Sequence, residues 1–184
     1  MSLLETTVGD VHWYLNLFDR LGIEVWIDGG WGVDALLGGQ TRPHQDLDVI
    51  VQEVDVPRLR SALLEAGHVD IPRDDTRAWN FVMGEPGLRE LDFHVVVFDV
   101  SGNGVYGPPE KGDVFPAWAF GGAGEIGGRA VRCTTAEYQV RSHTGYTLAP
   151  KDIADVLALR DRFGVEPAPE HHHYLRGSRD QAIS

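Results

Sequence analysis

The sequence predicts an α+β protein: a mixed β-sheet with helices packed against it and a helical pair at the C-terminal end. Two observations carry this. Apolar residues recur at helical spacing in some stretches and alternate in others, in the order helix, strand, helix, strand, helix, several strands, two helices. The chain is 184 residues long, enough for one domain with a proper core and too short for two. The domain is placed at residues 1–165, with the helical pair at 135–165, followed by a polar, flexible tail at 166–184.

The elements follow from local pattern. Val11, Tyr14, Leu15, Phe18 and Leu21 share a helical face that ends at Gly22. Val25–Asp28 reads as a strand closed by the pair Gly29 and Gly30; Trp31–Leu37 reads as a helix, with Trp31 assigned to the core. After a turn at Gly38 and Gly39, a second strand carries Asp46 and Asp48. Val56–Ala66 is amphipathic, opened by Asp55 with Pro57 in its first turn and stopped by Gly67. Strands are expected at His68–Ile71 and Trp79–Met83. Leu88–Phe98 is the clearest, and its Val95, Val96 and Val97 suggest burial on both faces. Gly102–Gly112 reads as a glycine- and proline-rich loop, with two or three more strands between Val114 and Cys133. Thr135–His143 and Pro150–Phe163 complete the chain as helices.

Composition narrows the class. Sixteen basic and 28 acidic residues give a formal charge of −12, a surface that repels phosphate backbones and argues against nucleic acid as partner. Such a surface attracts cationic small molecules. The single cysteine excludes an internal disulfide and a cysteine-based zinc cluster. No apolar run approaches the roughly 20 residues of a membrane span, and the first residues lack the pattern of a secretion signal. A cytoplasmic protein without a membrane partner is expected.

The stretch from Trp26 to Val51 says most about function. A glycine pair opening a helix lets backbone N–H groups approach a phosphate at the positive end of the helix dipole. Side chains alternate along a strand, so Asp46 and Asp48 face the same way. Two carboxylates on one face suit Mg²⁺, a hard cation that prefers oxygen ligands. A phosphate cradle beside metal-binding carboxylates points to a nucleotide triphosphate.

This layout resembles the nucleotidyltransferase superfamily. The fuller runs Asp28-Gly29-Gly30-Trp31 and Thr41-Arg42-Pro43-His44-Gln45-Asp46-Leu47-Asp48 are similar to its small antibiotic-modifying branch, the lincosamide and aminoglycoside 2''-O-nucleotidyltransferases. The resemblance extends through Gly128–Cys133 and covers most of Trp26–Phe163. It implies the nucleotidyltransferase fold and Mg²⁺-dependent transfer of a nucleoside monophosphate from a nucleotide triphosphate to an antibiotic hydroxyl, with pyrophosphate released. Two metal ions held by three carboxylates meet the needs of that reaction.

Asp46 and Asp48 supply two of the three. On the Leu88–Phe98 strand, Glu90, Asp92 and His94 share the polar face. Leu91-Asp92-Phe93-His94 matches the family position of the third carboxylate, which makes Asp92 both metal ligand and general base; Glu90 is the reserve. His94 is read as orienting the acceptor hydroxyl or taking its proton as a neutral imidazole, or as a hydrogen-bonded bystander. A histidine where the aminoglycoside branch carries a carboxylate tilts the reading toward lincosamides. The resemblance assigns Arg42 to the triphosphate, and Lys151 has the reach for a β- or γ-phosphate. His143 and Tyr146 match a feature of the lincosamide branch and, with Glu90 and His94, are assigned to the acceptor. Asp34 is read as a salt-bridged helix residue. The resemblance also leaves a homodimer open.

Two features are set aside. Gly122–Gly127 fits Gly-x-Gly-x-x-Gly but is followed by a strand pattern, so it reads as a turn rather than a dinucleotide loop. His171-His172-His173 falls in the polar tail. Two other function classes compete with small-molecule transfer. One is a nucleotidyltransferase with a protein acceptor, as in toxin–antitoxin modules. The other is a metal-dependent glycosyltransferase, which does not call for the upstream glycine pair.

Overall fold

The computed structural model describes residues 5–172, apart from residue 111, together with Tyr174. Its first helix, α1 (Val8–Leu21), starts one turn earlier than apolar spacing alone places it, because Thr7 and Asp10 form a reciprocal capping box. It ends on Gly22 at φ 60°, where only glycine is unstrained. Next come β1 (Val25–Ile27), α2 (Gly29–Leu37), β2 (Leu47–Gln52) and α3 (Val56–Glu65). β3 (Val69–Ile71), β4 (Asn80–Glu85) and β5 (Arg89–Phe98) follow. β6 (Gly104–Tyr106), β7 (Asp113–Phe115), β8 (Gly122–Ile126) and β9 (Arg129–Cys133) lead to α4 (Ala136–Ser142) and α5 (Pro150–Phe163).

The strands form one mixed sheet ordered β3-β4-β5-β2-β1-β9-β8, with β6 paired to β5 and β7 to β6. β2 runs parallel to β5, and β1 parallel to β9; the other pairs are antiparallel. The predicted mixed sheet with packed helices is therefore present.

One sheet face takes the main core. Leu47, Val49 and Val51 of β2 and Leu91, Phe93 and Val95 of β5 pack with Tyr14 and Phe18 of α1 and Leu59 and Leu63 of α3. Trp31 is buried in the same cluster, as predicted. The other face is divided: Ile50 and Val96 continue into an aromatic cluster with Trp26 and Phe115. Asp48, Asp92 and His94 have the same parity as those two residues and occupy the adjoining part of that face. A third cluster packs Val33 of α2 against Val140 of α4 and Val156 and Leu159 of α5, which fixes the C-terminal pair beside α2.

Four sequence readings change. Val97 is 52% exposed, so burial on both faces of β5 stops at Val96. The loop at Gly102–Gly112 contains β6. Asp46 sits in the bend just before β2 rather than on the strand. Most of the Gly122–Gly127 run is β8, and the turn lies at Gly127 and Gly128, both at positive φ. Apart from these four, the described part of the segment read as a polar tail carries a 3-10 turn at Pro169–His171, with His171 1% exposed. His171 Nε2 donates to the carbonyl of His143 at 2.5 Å, and Glu170 accepts from Gly145 N–H at 2.9 Å. His173 and residues 175–184 lie outside the described residues.

Gly124 shows what the glycine run is for. A Cβ there would run into the backbone of Ala35 and Leu36, so a side chain on β8 would lift α2 off the sheet. Forcing atoms into a packed contact costs about 1–3 kcal/mol. Gly124→Val should therefore lower Tm by several degrees in a thermal melt. Gly39→Ala, with open space around its Cβ position and no positive φ, should leave Tm nearly unchanged. Equal melts for the two variants would show that α2 does not depend on this contact.

Candidate active site

β1 delivers the chain to Asp28, the N-cap of α2. The first backbone bond of the helix runs from Gly32 N–H to Asp28 C=O at 2.9 Å, so the preceding N–H groups are presented outward at the helix N-terminus. Gly29 stands at φ 55°, and a Cβ on it would collide with the Asp48 carboxylate. A Cβ on Gly30 would collide with the His44 imidazole and approach the Arg42 guanidinium. The glycine pair thus seats Asp48, His44 and Arg42 directly against the helix N-terminus. A cleft of about 760 Å³ opens in front of it, lined by Gly29, Gly30, Arg42, Asp46, Asp48 and Lys151 among others.

The parallel register sets the centre of the site. Asp48 of β2 is the Cα partner of Asp92 of β5, and Ile50 that of His94. Ligand atoms of Asp48, Asp92 and His94 all lie within 4.8 Å of one another. Asp92 Oδ1 is buried and has no hydrogen-bond partner. Burial and the charges of Asp46 and Asp92 push Asp48 up to about 7. Asp92 is also raised, by burial first and by Asp46 among the charges. Asp46 lies outside the tight cluster, but its charge acts on both carboxylates. Two oxygen donors brought together, one of them unpartnered, and both strained by their own charge, fit a hard divalent cation.

His94 faces this group and also Asp28, whose Oδ2 lies 3.7 Å from its Nδ1. Burial pushes the imidazole down, but pairing with Asp28 and the Asp48 and Asp92 charges outweigh it and hold His94 at about 9. With these charges around it His94 is held toward its cationic form at neutral pH, whereas the sequence reading has it as a neutral imidazole or a hydrogen-bonded bystander. Burial would raise Asp28, but His94 and the Thr134 hydroxyl at 2.7 Å override it and hold the carboxyl low. Gln139 Nε2 donates to the same oxygen at 3.0 Å.

A second cleft of about 620 Å³ lies on the His94 side. Asp28 and His94 line its floor, Tyr106, Phe115 and Tyr138 are among its walls, and Asp113 stands at its exposed edge. Asp48 borders the first cleft and His94 the second, so the two meet at one cluster.

The remaining sequence candidates fall in three places. Arg42 and Lys151 are both on the first cleft. Glu90 pairs with Arg73 at 2.6 Å and stays outside the cluster. His143 borders the first cleft rather than the second, with Nδ1 2.7 Å from the half-exposed Tyr146 hydroxyl. Asp28 and the Tyr106–Tyr138 wall were missed. Asp28 was visible in the Asp-Gly-Gly-Trp run, whereas the wall comes from segments about 30 residues apart in sequence.

A family model described as aminoglycoside-2''-adenylyltransferase matches residues 10–159. The chain belongs to this family. It is a nucleotidyltransferase. A lincosamide resistance protein of Staphylococcus haemolyticus is 26% identical over 155 residues, 84% of this chain and 94% of that one. A 2''-aminoglycoside nucleotidyltransferase of Klebsiella pneumoniae is 43% identical over a shorter stretch of 44 residues, 24% of this chain and 25% of that one. Among solved structures, the lincosamide antibiotic adenylyltransferase LnuA with lincomycin bound superposes with a TM-score of 0.74 at 26% identity, covering 85% of this chain and 98% of that one. ANT(2'')-Ia in complex with adenylyl-2''-tobramycin shares the fold, with a TM-score of 0.63 at 21% identity over 96% of this chain and 98% of that one. The α+β nucleotidyltransferase fold expected from the sequence is the fold of this enzyme.

Asp48 gives the nucleotidyltransferase a pH signature. Its folded pKa is raised from the usual carboxylate value of about 4 to about 7. Its stabilising contribution is therefore complete below the ordinary carboxylate range and is lost as pH rises through about 7. With chelator present, Asp48→Asn should melt close to the parent near pH 4 and above it at pH 8. A gap that narrows with rising pH would contradict the strain assigned to Asp48.

Proposed function

We propose that this nucleotidyltransferase transfers a nucleoside monophosphate, with ATP the candidate donor, to a hydroxyl of a small cationic antibiotic of the lincosamide or aminoglycoside kind. The observation that carries this reading is the meeting of two clefts at one carboxylate cluster. The first cleft, with the α2 N-terminus, Arg42 and Lys151, suits a triphosphate. The second, with aromatic walls and with Asp113 exposed at its edge, suits a ring-bearing molecule that carries an amine, while His94 and Arg141 offset the other charge there.

In this scheme the acceptor hydroxyl oxygen forms a bond to the α-phosphorus. The bond from that phosphorus to the pyrophosphate oxygen breaks, and pyrophosphate leaves. Asp92 takes the hydroxyl proton: its raised pKa makes it a better base than an ordinary carboxylate, and His94 already carries its proton. Asp46, Asp48 and Asp92 would hold Mg²⁺, two ions in the scheme the family resemblance implies. Bound there, Mg²⁺ would supply charge neutralisation for the phosphates and would lower the pKa of the attacking hydroxyl. The first cleft needs that charge, because Glu5, Asp46, Asp48, Asp152 and Asp155 line it against the permanent cations Arg42 and Lys151.

The lincosamide side is favoured: the lincosamide relative matches along most of both chains, and His94 replaces the carboxylate typical of the aminoglycoside branch. A cleft of about 620 Å³ suits a small molecule better than a protein acceptor. No described helix is long and apolar enough to cross a membrane, and the cytoplasm supplies both nucleotide and Mg²⁺.

Incubation with ATP, Mg²⁺ and lincomycin, kanamycin or whole lysate, read by mass shift, tests the reading. An adenylyl increment on lincomycin is expected; an increment only on lysate protein would move the acceptor class. Asp92→Asn should lower kcat by at least about two orders of magnitude while nucleotide still binds, since Asp46 and Asp48 are retained. Glu90→Gln should be mild, because Glu90 is committed to Arg73. A dead Glu90→Gln beside an active Asp92→Asn would reverse the assignment of the base.

A further inference from the structure

Arg42 is held from two sides. Its Nη2 and Nε lie 2.7 and 3.5 Å from the two carboxylate oxygens of Asp155 on α5, and its Nη1 lies 2.9 Å from His44 Nδ1. A guanidinium has only donors, so Nδ1 of His44 presents a lone pair. The imidazole hydrogen is then on Nε2, which donates to Asp34 Oδ2 at 2.5 Å. The other oxygen of Asp34 accepts from the Thr41 N–H and hydroxyl at 3.0 and 2.6 Å. Asp34 and His44 are 1% and 4% exposed, deep for groups so polar, and every one of these contacts is a satisfied hydrogen bond.

The links have a direction. Asp34 belongs to α2, and its carboxylate, which can only accept, selects the His44 tautomer. That tautomer leaves a lone pair for one Arg42 hydrogen, and Asp155 takes the other edge of the guanidinium. The room for both side chains is the space a Cβ on Gly30 would fill. The guanidinium is thereby fixed beside the α2 N-terminus, on the wall of the first cleft and 24% exposed.

Building on the nucleotidyl-transfer reading, we propose that Asp34, His44 and Asp155 are positioning residues that hold Arg42 ready for the triphosphate of the bound nucleotide. A loop arginine meeting a phosphate loses rotamer freedom; contacts with His44 and Asp155 that do not involve the nucleotide would supply that ordering in advance. The same network joins α2, the loop before β2 and α5, so the C-terminal helical pair sets the nucleotide cleft as well as covering α2.

The test compares the parent with His44→Ala, His44→Asn, Asp155→Ala and Asp155→Asn. Steady-state KM for ATP, KM for lincomycin and kcat are measured, together with calorimetric binding of a non-hydrolysable ATP analogue with Mg²⁺. His44→Ala and Asp155→Ala should raise KM for ATP about tenfold, the scale of one lost hydrogen bond to a charged group. KM for lincomycin and kcat should change by less than about threefold. His44→Asn should recover most of the loss, because its side-chain oxygen takes the place of Nδ1 as acceptor. Asp155→Asn should recover part of it through its remaining carbonyl oxygen.

A folded His44→Ala with parental nucleotide affinity would overturn the proposal, as would an Asn variant no better than Ala. Tighter nucleotide binding in Asp155→Ala would also overturn it, since Asp155 would then be competing with phosphate. Melting curves check folding; if His44→Ala does not fold, the Asp155 pair at the cleft edge carries the test. Failure of the functional reading is seen in the parent, as absent turnover of any acceptor. Failure of the positioning role is seen only in the variants, and calorimetry reads it independently of turnover.

Discussion

Two carboxylates placed opposite each other on adjacent parallel strands are the arrangement on which the rest of this chain depends. In an antiparallel hairpin the connection is short; β2 and β5 are parallel, so the chain must leave through α3, β3 and β4 before it can return. Only then are Asp48 and Asp92 Cα partners on the same face. The charge repulsion this creates is large in a half-buried setting, and the neighbours answer it. His94, two residue pairs further along the strands, is held as a cation, and Asp28 beside the imidazole helps keep it so. Ile50 and Val96 then convert the same sheet face into apolar core, which pins the register that the charges oppose.

Much of this was legible in the sequence because it is local. The glycine pair, Asp-x-Asp and the polar face of Leu88–Phe98 are each contained within a few residues, and strand parity alone places Asp92 and His94 together. What sequence missed depends on pairing at a distance. The protonation state of His94 follows from Asp28, Asp48 and Asp92 around it, and periodicity cannot report charge. Glu90 has the same parity as Asp92 but is drawn off by Arg73, across from β5. His143 looked like an acceptor residue, yet the α4–α5 connection carries it to the first cleft, where a turn of the C-terminal segment holds its backbone. Gly124 was dismissed with its motif; its role is contact between β8 and α2, visible only when the two are packed.

α2 is the element that makes these distant effects felt together. Within nine residues it places Gly29 under Asp48, Gly30 under Arg42 and His44, Val33 into the core shared with α4 and α5, and Asp34 against His44. Its apolar contacts set the position of the C-terminal helices, and its polar contacts set the cleft. A disturbance of its seating on β8 therefore reaches the residues of the first cleft without touching them, which is why the glycines on both sides of this helix serve different ends. Those at its N-terminus make room for functional groups, and Gly124 makes room for the helix itself.

The net charge of −12 acquires a location in this structure. Five acids border the first cleft, and Asp28 and Asp113 border the second, while Arg42 is already neutralised by Asp155. The first cleft repels a bare triphosphate, whereas in the second His94 and Arg141 offset the charges of Asp28 and Asp113. The electrostatics therefore make the two substrates unequal partners. On the proposed reading a divalent cation offsets this repulsion for the nucleotide, and the α2 N-terminus with a preordered Arg42 supplies the remaining attraction. The acidity that argues against nucleic acid at the level of composition is, at the level of the site, concentrated on the first cleft.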